Sequence, residues 1–323
     1  MARYLDKYTG ILKSLKPVHF IYNFLNRDKL KHNHSLYQKF GLRKSIYESI
    51  GSHDFGKHNP DIPWIDRPDA LQNILQDVDY QRFTKEIQEQ ITHFVENGYL
   101  ILRGWLPSEK VDIVNEEVNK LLQSKEADFN FSGKKIMMAH ELSPVIDATF
   151  RQAELLEILN FLLGRKVIPF QTINFIEGSE QRPHSDSIHM TTEPQGYLIA
   201  AWWAFEDCHA GNGPLVYYPK SHRLPFVMST DYASGNTKWA IGLDNHKQYE
   251  DAIASVIEKN NLQPHYFHAQ KGDVFLWHAN LIHGGTKITE KGAARRSMVG
   301  HYFGENVICF HELSQRPALI GRF

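Results

Sequence analysis

The sequence predicts an α+β protein, helical in its first half and a β-rich barrel or sandwich in its second. Two observations carry this. Up to about residue 163, apolar residues recur at helical spacing and the runs end at glycine; beyond Lys166, short stretches of β-branched and aromatic residues alternate with turn signals. A length of 323 residues suits one catalytic domain with appended segments better than two equal domains.

Residues 1–60 are basic and aromatic, with Ile11, Leu12, Leu15, Val18, Ile21, Phe24 and Leu25 at roughly helical spacing. A short amphipathic helix is expected, packed on the main domain or mediating a dimer. The same pattern admits a peripheral contact of residues 1–45 with an anionic membrane surface. Phe83, Ile87, Ile91, Phe94 and Val95 mark a helix closed by Gly98, and Tyr99 to Leu102 reads as a strand. Ser108 can cap a second helix with inner face Val111, Val114, Val118 and Leu121, and a third, near Arg151–Leu163, stops at Gly164.

Strands are then expected at Val167–Ile176, Pro183–Met190, Tyr197–Phe205, Pro214–Tyr218, Val274–Trp277 and Arg296–Phe303. Gly178, Gly211-Asn212-Gly213 and Gly272-Asp273 break the runs. Residues 224–270 are long and polar for a connection. A helix near Gln248–Lys259 and a lid-like role are expected there, the alternative being a solvated loop.

Net charge is −1, which excludes a nucleic-acid binder acting through its whole surface. The charge is uneven: residues 1–50 hold ten Lys/Arg against three Asp/Glu, a balance of +7. Two cysteines provide neither a disulfide framework nor a thiolate zinc site, so a reducing cytoplasm is expected, with Cys208 and Cys309 buried and inert. No stretch approaches eighteen apolar residues and no cleavable leader is evident, so a soluble, unprocessed chain is expected.

Asp186 follows His184 by two, so on a strand both side chains would point to one face and could share an ion. Among 18 histidines such a triplet arises by chance. Its context is more telling. Far downstream, Trp277-His278-Ala279-Asn280-Leu281-Ile282-His283-Gly284-Gly285 is followed by Arg295-Arg296. A His-x-Asp pair with one distant His makes a two-His-one-carboxylate face that leaves coordination positions for a bidentate ligand and dioxygen. An arginine on the next strand could grip the far carboxylate of a dicarboxylic cosubstrate with two parallel hydrogen bonds.

Four runs in order, "GSEQRPHSDSIHM" (178–190), "LIAAWWAFEDCHAGNGPLVYYPKSHR" (198–223), "KGDVFLWHANLIHGG" (271–285) and "RRSMVGHYF" (295–303), resemble the phytanoyl-CoA dioxygenase family over roughly residues 94–303. The resemblance implies a double-stranded β-helix, a jelly-roll, cupin-like core over about 165–304. Helices at about 80–163 would back it, within an oxygenase domain spanning 61–323. It implies that His184, Asp186 and His283 ligate Fe(II) and that Arg295 binds 2-oxoglutarate, with Arg296 as rival. Trp202 would pack beside the cosubstrate and Gln171 would point toward it. The reaction implied is hydroxylation of an unactivated C–H bond of a small or lipid-like substrate by dioxygen. Succinate and CO2 would be released, with ascorbate the reductant in vitro. Several members of the family carry a hydroxyl residue where this chain has Gly285, so Thr286 or a water would have to replace it. Related halogenases lack the carboxylate that Asp186 supplies.

His189 and His278 read as packing or supporting histidines, His222 as structural in its turn, and Trp203 and Trp277 as barrel filling. Two other classes stay open: a cupin-type metalloenzyme without 2-oxoglutarate, which has no use for a buried Arg295, and a non-catalytic jelly-roll binding protein.

Overall fold

The computed structural model describes residues 14–56, 61–124, 127 and 134–320. Its helices are α1 Lys16–Leu25, α2 Asn33–Lys39, α3 Ala70–Ile74, α4 Lys85–Asn97, α5 Ser108–Ser124, α6 Pro144–Phe150, α7 Ala153–Leu163, α8 Asp186–His189 and α9 Asn245–Lys259. Its strands are β1 Tyr99–Leu102, β2 Lys135–Met137, β3 Val167–Phe175, β4 Thr191–Glu193, β5 Leu198–Ala204, β6 Leu215–Tyr217, β7 His265–Phe267, β8 Val274–His278, β9 His283–Gly285, β10 Ser297–Gly304, β11 Ile308–His311 and β12 Arg316–Pro317. The fold is α+β, and the strand pairs within its sheets are antiparallel.

The largest sheet has order β1-β8-β5-β10-β3-β2; two three-stranded sheets have orders β7-β6-β9 and β12-β11-β4. The large sheet has two unlike faces because successive residues of a strand alternate. Ile199, Ala201 and Trp203 of β5, Val274 and Leu276 of β8, and Met298 and Tyr302 of β10 point one way, into a core with α4, α5, α6 and α7. Ala200, Trp202 and Ala204, Phe275 and Trp277, and Val299 point the other way, onto Leu215, Tyr217 and Phe267 of the β7-β6-β9 sheet.

The helices form where sequence periodicity places them. The Thr84 hydroxyl accepts from the Ile87 amide and caps α4, and Gly98, at φ +82°, closes it in the left-handed conformation that glycine adopts without strain. Gly164 closes α7 in the same way. The 224–270 insert is more ordered than a solvated loop: α9 buries Tyr249 and Ile253 against Ile188, Val216 and Ile282, and β7 pairs with β6. The N-terminal segment docks through Leu30, Tyr37, Ile46 and Ile50 against Ile308 and Phe310 of β11. Ile11 and Leu12 lie outside the described residues. Among the described residues no helix is long and apolar enough to cross a membrane.

One expected strand is absent. Pro183–Met190 bridges only at His184, opposite His283, and then turns into the single helical turn α8. Ser185 is extended, so His184 and Asp186 still project to one side, but the alternation ends there.

Candidate active site

His184 and His283 face each other across a two-way backbone bridge, each amide donating to the other's carbonyl at 2.9 Å. Asp186 joins them from the start of α8. One ligand atom from each of the three lies within 4.8 Å of the others, and all three residues are buried. His184 Nε2 and His283 Nε2 stand 3.9 and 3.7 Å from Asp186 Oδ1. Each imidazole is oriented from behind: Nδ1 of His184 donates to the Arg182 carbonyl at 2.8 Å, and Nδ1 of His283 to the Leu281 carbonyl at 2.9 Å. A proton on Nδ1 leaves the Nε2 lone pair free toward the cluster. Burial holds both histidines below their ordinary pKa and therefore neutral. Burial opposes ionisation of Asp186, yet the positive charge that His283, His301 or His184 carries when protonated, and the hydrogen bond from His301, lower its carboxyl below the usual range.

Two neutral imidazoles and an ionised carboxylate at this spacing make a donor set suited to a divalent metal such as iron. The rest of the shell is equally ordered. Trp277 Nε1 donates to Asp186 Oδ2 at 2.7 Å, and His301 Nε2 lies 3.5 Å from the same oxygen. From the 224–270 insert, the Tyr249 hydroxyl accepts from the Ser185 amide at 2.8 Å and holds the backbone between the two upstream ligands. Gly284 and Gly285 let the 179–182 segment approach: a side chain at Gly284 would meet the Gln181 carbonyl, and one at Gly285 would meet the Ser179 hydroxyl.

The cluster lines a cavity of about 250 Å³ that also contains Gln171, Trp202, Arg295 and His301. Arg295 is 2% exposed, and its Nε and Nη1 have no partner. Its guanidinium lies 5.1 Å from the centre of the Trp202 ring. The guanidinium also meets the Cys208 side chain, but leaving two buried N–H groups unsatisfied is costly, and a carboxylate entering the cavity would satisfy them. Arg296 projects to the helix side, bonding Asn119 at 2.8 Å and lying 3.8 Å from Glu206. One residue of register separates the two arginines, and only Arg295 reaches the cavity.

Several roles differ from expectation. Trp277 does more than fill space, because its indole N–H grips the Asp186 carboxylate. Its place in the downstream run was visible; the hydrogen bond was not. His301 shares its parity with Val299 on β10 and with Arg295 just before that strand, and this spacing is the signal that finds it. Thr286 is turned away and donates to the Pro214 carbonyl at 3.0 Å, whereas Ser179 Oγ occupies the space beside Gly285 and lines the cavity. His189 also lines the cavity, while His278 lies outside it, 3.3 Å from Asp66. The insert contributes no lining residue; its His246 lines an adjoining cavity that shares Ser179, Gln181 and His189 with this one.

Residues 94–297 match the model of the phytanoyl-CoA dioxygenase family, well over half of the chain. The chain belongs to that family. The family's cofactors are iron(II) and 2-oxoglutarate, and the donor set and the two unsatisfied guanidinium nitrogens described above fit both. Among curated relatives, peroxisomal phytanoyl-CoA dioxygenase of Bos taurus is 24% identical over 73% of this chain; the match spans 65% of that protein, just under two thirds of its length. Among solved structures, EctD from S. alaskensis with 2-oxoglutarate and 5-hydroxyectoine superposes with a TM-score of 0.57 at 19% identity, covering 75% of this chain and 86% of that one. The non-heme alpha-ketoglutarate-dependent carbocyclase SnoK from nogalamycin biosynthesis gives 0.55 at 15% identity, over 71% and 87%. At these identities the two structures bear on the fold alone.

Proposed function

We propose that this protein is an Fe(II)- and 2-oxoglutarate-dependent dioxygenase that hydroxylates an unactivated C–H bond of a small or lipid-like organic substrate. Its core would be a double-stranded β-helix within residues 61–323. The observation that carries the reading is that one small cavity holds both a cluster of two imidazoles with an ionised carboxylate and, on its wall, a buried guanidinium whose Nε and Nη1 lack partners. A cupin without 2-oxoglutarate would not need that arginine.

In this reading His184, Asp186 and His283 hold the metal, which when bound supplies dioxygen activation coupled to decarboxylation of the 2-oxo acid. Trp277 and His301 fix Oδ2 of Asp186, the oxygen opposite the one that His184 and His283 approach. Arg295 takes the far carboxylate of 2-oxoglutarate, with Trp202 beneath the guanidinium and Gln171 alongside. The aromatic and aliphatic wall of Phe175, Ile173, Met190 and Val299 excludes water from the reacting C–H bond.

The test is succinate release by the full chain supplied with Fe(II), ascorbate and 2-oxoglutarate, screened against acyl, carrier-linked and small-metabolite candidates. At least one candidate should raise succinate output and gain one oxygen atom. Absence of succinate with and without every candidate would contradict the proposal.

A further inference from the structure

Helix α1 is built inside out. Its buried residues are His19 at 5% and Asn23 at 1% exposure, whereas Ile21 is 61% and Leu25 74% exposed. Asn23 is held inward by its side-chain N–H, which donates to the Tyr47 carbonyl at 3.0 Å. At about 100° per residue, Val18, Ile21 and Leu25 stand opposite that polar seam, so the outward ridge is apolar by construction. Phe20 and Phe24 flank it, each edge-on to Tyr47. The ridge does not stop at the helix. The Lys16 amide donates to the Trp239 carbonyl at 2.9 Å, which joins the helix to a loop whose Trp239 is 64% exposed.

The surroundings are cationic. A groove of about 890 Å³ at the foot of α1, containing Ile21 and Trp239, is also lined by Lys16, Lys44 and Lys238, with Glu48 the one carboxylate among the described lining residues. Arg27 lies over the Phe24 ring and Lys238 over Trp239. Lys31 is paired with Asp28 and Lys44 with Asp54, so among the described residues the cations of this face not held in an ion pair are Lys16, Arg27 and Lys238. An apolar ridge carrying a tryptophan and rimmed by lysines matches a bilayer surface, where side chains enter the acyl boundary and ammonium groups meet lipid phosphates. A symmetric dimer through this face would set the lysine rim against itself.

We propose that α1 and the Trp239 loop form a docking surface for anionic lipid membranes. The surface stands independently of the metal chemistry, because binding is read as partition and not as turnover.

The experiment is co-sedimentation of the full chain with vesicles of phosphatidylcholine alone and of phosphatidylcholine mixed equally with phosphatidylglycerol. The protein should partition onto the phosphatidylglycerol vesicles, far less onto pure phosphatidylcholine, and should come off at high salt. Ile21→Glu with Leu25→Glu should lower partition by at least about tenfold, and Lys238→Glu by a smaller factor. Both changes are at exposed positions, so an unchanged thermal midpoint verifies folding. Three results would each overturn the proposal: no binding to the anionic vesicles, equal binding by the double variant, or a wild-type dimer in sedimentation velocity that the same two substitutions dissolve.

Discussion

The two faces of the large sheet are made by the same strands and do different work. Trp203 and Trp202 are neighbours on β5, yet Trp203 packs into the helix-backed core and Trp202 lies under the Arg295 guanidinium. On β10 Met298 and Tyr302 face the helices, while Val299 and His301 face the cavity. The helix face is dominated by apolar side chains; the cavity face gathers His184, Asp186, His283, Arg295 and His301 within one buried pocket. Stability can thus be concentrated on one face, leaving the other free to hold costly polar groups in fixed positions. Substitutions on the two faces should therefore separate stability from activity.

The largest expected effect is on the cavity face. Asp186→Ala should remove tight iron binding and lower substrate-dependent succinate release by more than about a hundredfold, as loss of a group acting within a catalytic unit does. Chelatable iron and turnover measure it, and retention of both would break the comparison. Next comes the cosubstrate. Arg295→Leu should raise the KM for 2-oxoglutarate by at least about tenfold, consistent with loss of a charge-assisted pair worth more than 1.4 kcal/mol, whereas Arg296→Leu should leave it nearly unchanged. Trp277→Phe, which removes the N–H donor to Asp186, should weaken metal affinity by about 10–100-fold.

Across the sheet, Leu159→Ala should cost roughly 2–5 kcal/mol in urea unfolding with little change in the KM for 2-oxoglutarate. A further effect on stability is set by pH. Burial lowers His222 to about 3 and His32 to about 4, from an ordinary 6.5. The unfolded chain therefore takes up protons first: stability is complete above about pH 6.5 and declines as pH falls toward 4. A urea midpoint that stays constant or rises over that interval would contradict this.

How much of this was legible in the sequence follows from the range of each interaction. Helix ends set by Gly98 and Gly164 are local, and the strand Tyr99–Leu102 was bounded to the residue, whereas the Thr84 cap of α4 was not read. The three candidate ligands and Arg295 were singled out through the four runs that resemble a known family, since a His-x-Asp spacing alone arises by chance, and the structure brings all four to one cavity. The turn of α8 was not, since a strand signal at Pro183–Met190 cannot reveal that pairing ends after His184. The Trp277 bond to Asp186 spans 91 residues, and the Tyr249 bond to the Ser185 amide spans 64. Such contacts depend on tertiary closure, which no local window contains. The inverted polarity of α1 belongs to the same class: its periodicity was visible, but which side faces the protein is decided by Asn23 reaching the Tyr47 carbonyl.

Anaerobic calorimetry on the wild-type chain and its Asp186→Ala and Arg295→Leu variants tests the cavity most directly. Iron(II) should bind the wild type and Arg295→Leu with similar affinity and fail to bind Asp186→Ala, and 2-oxoglutarate should then bind only the iron-loaded wild type tightly. Iron binding that ignores Asp186, or 2-oxoglutarate binding that ignores Arg295, would contradict the assignment of this cavity as the active site.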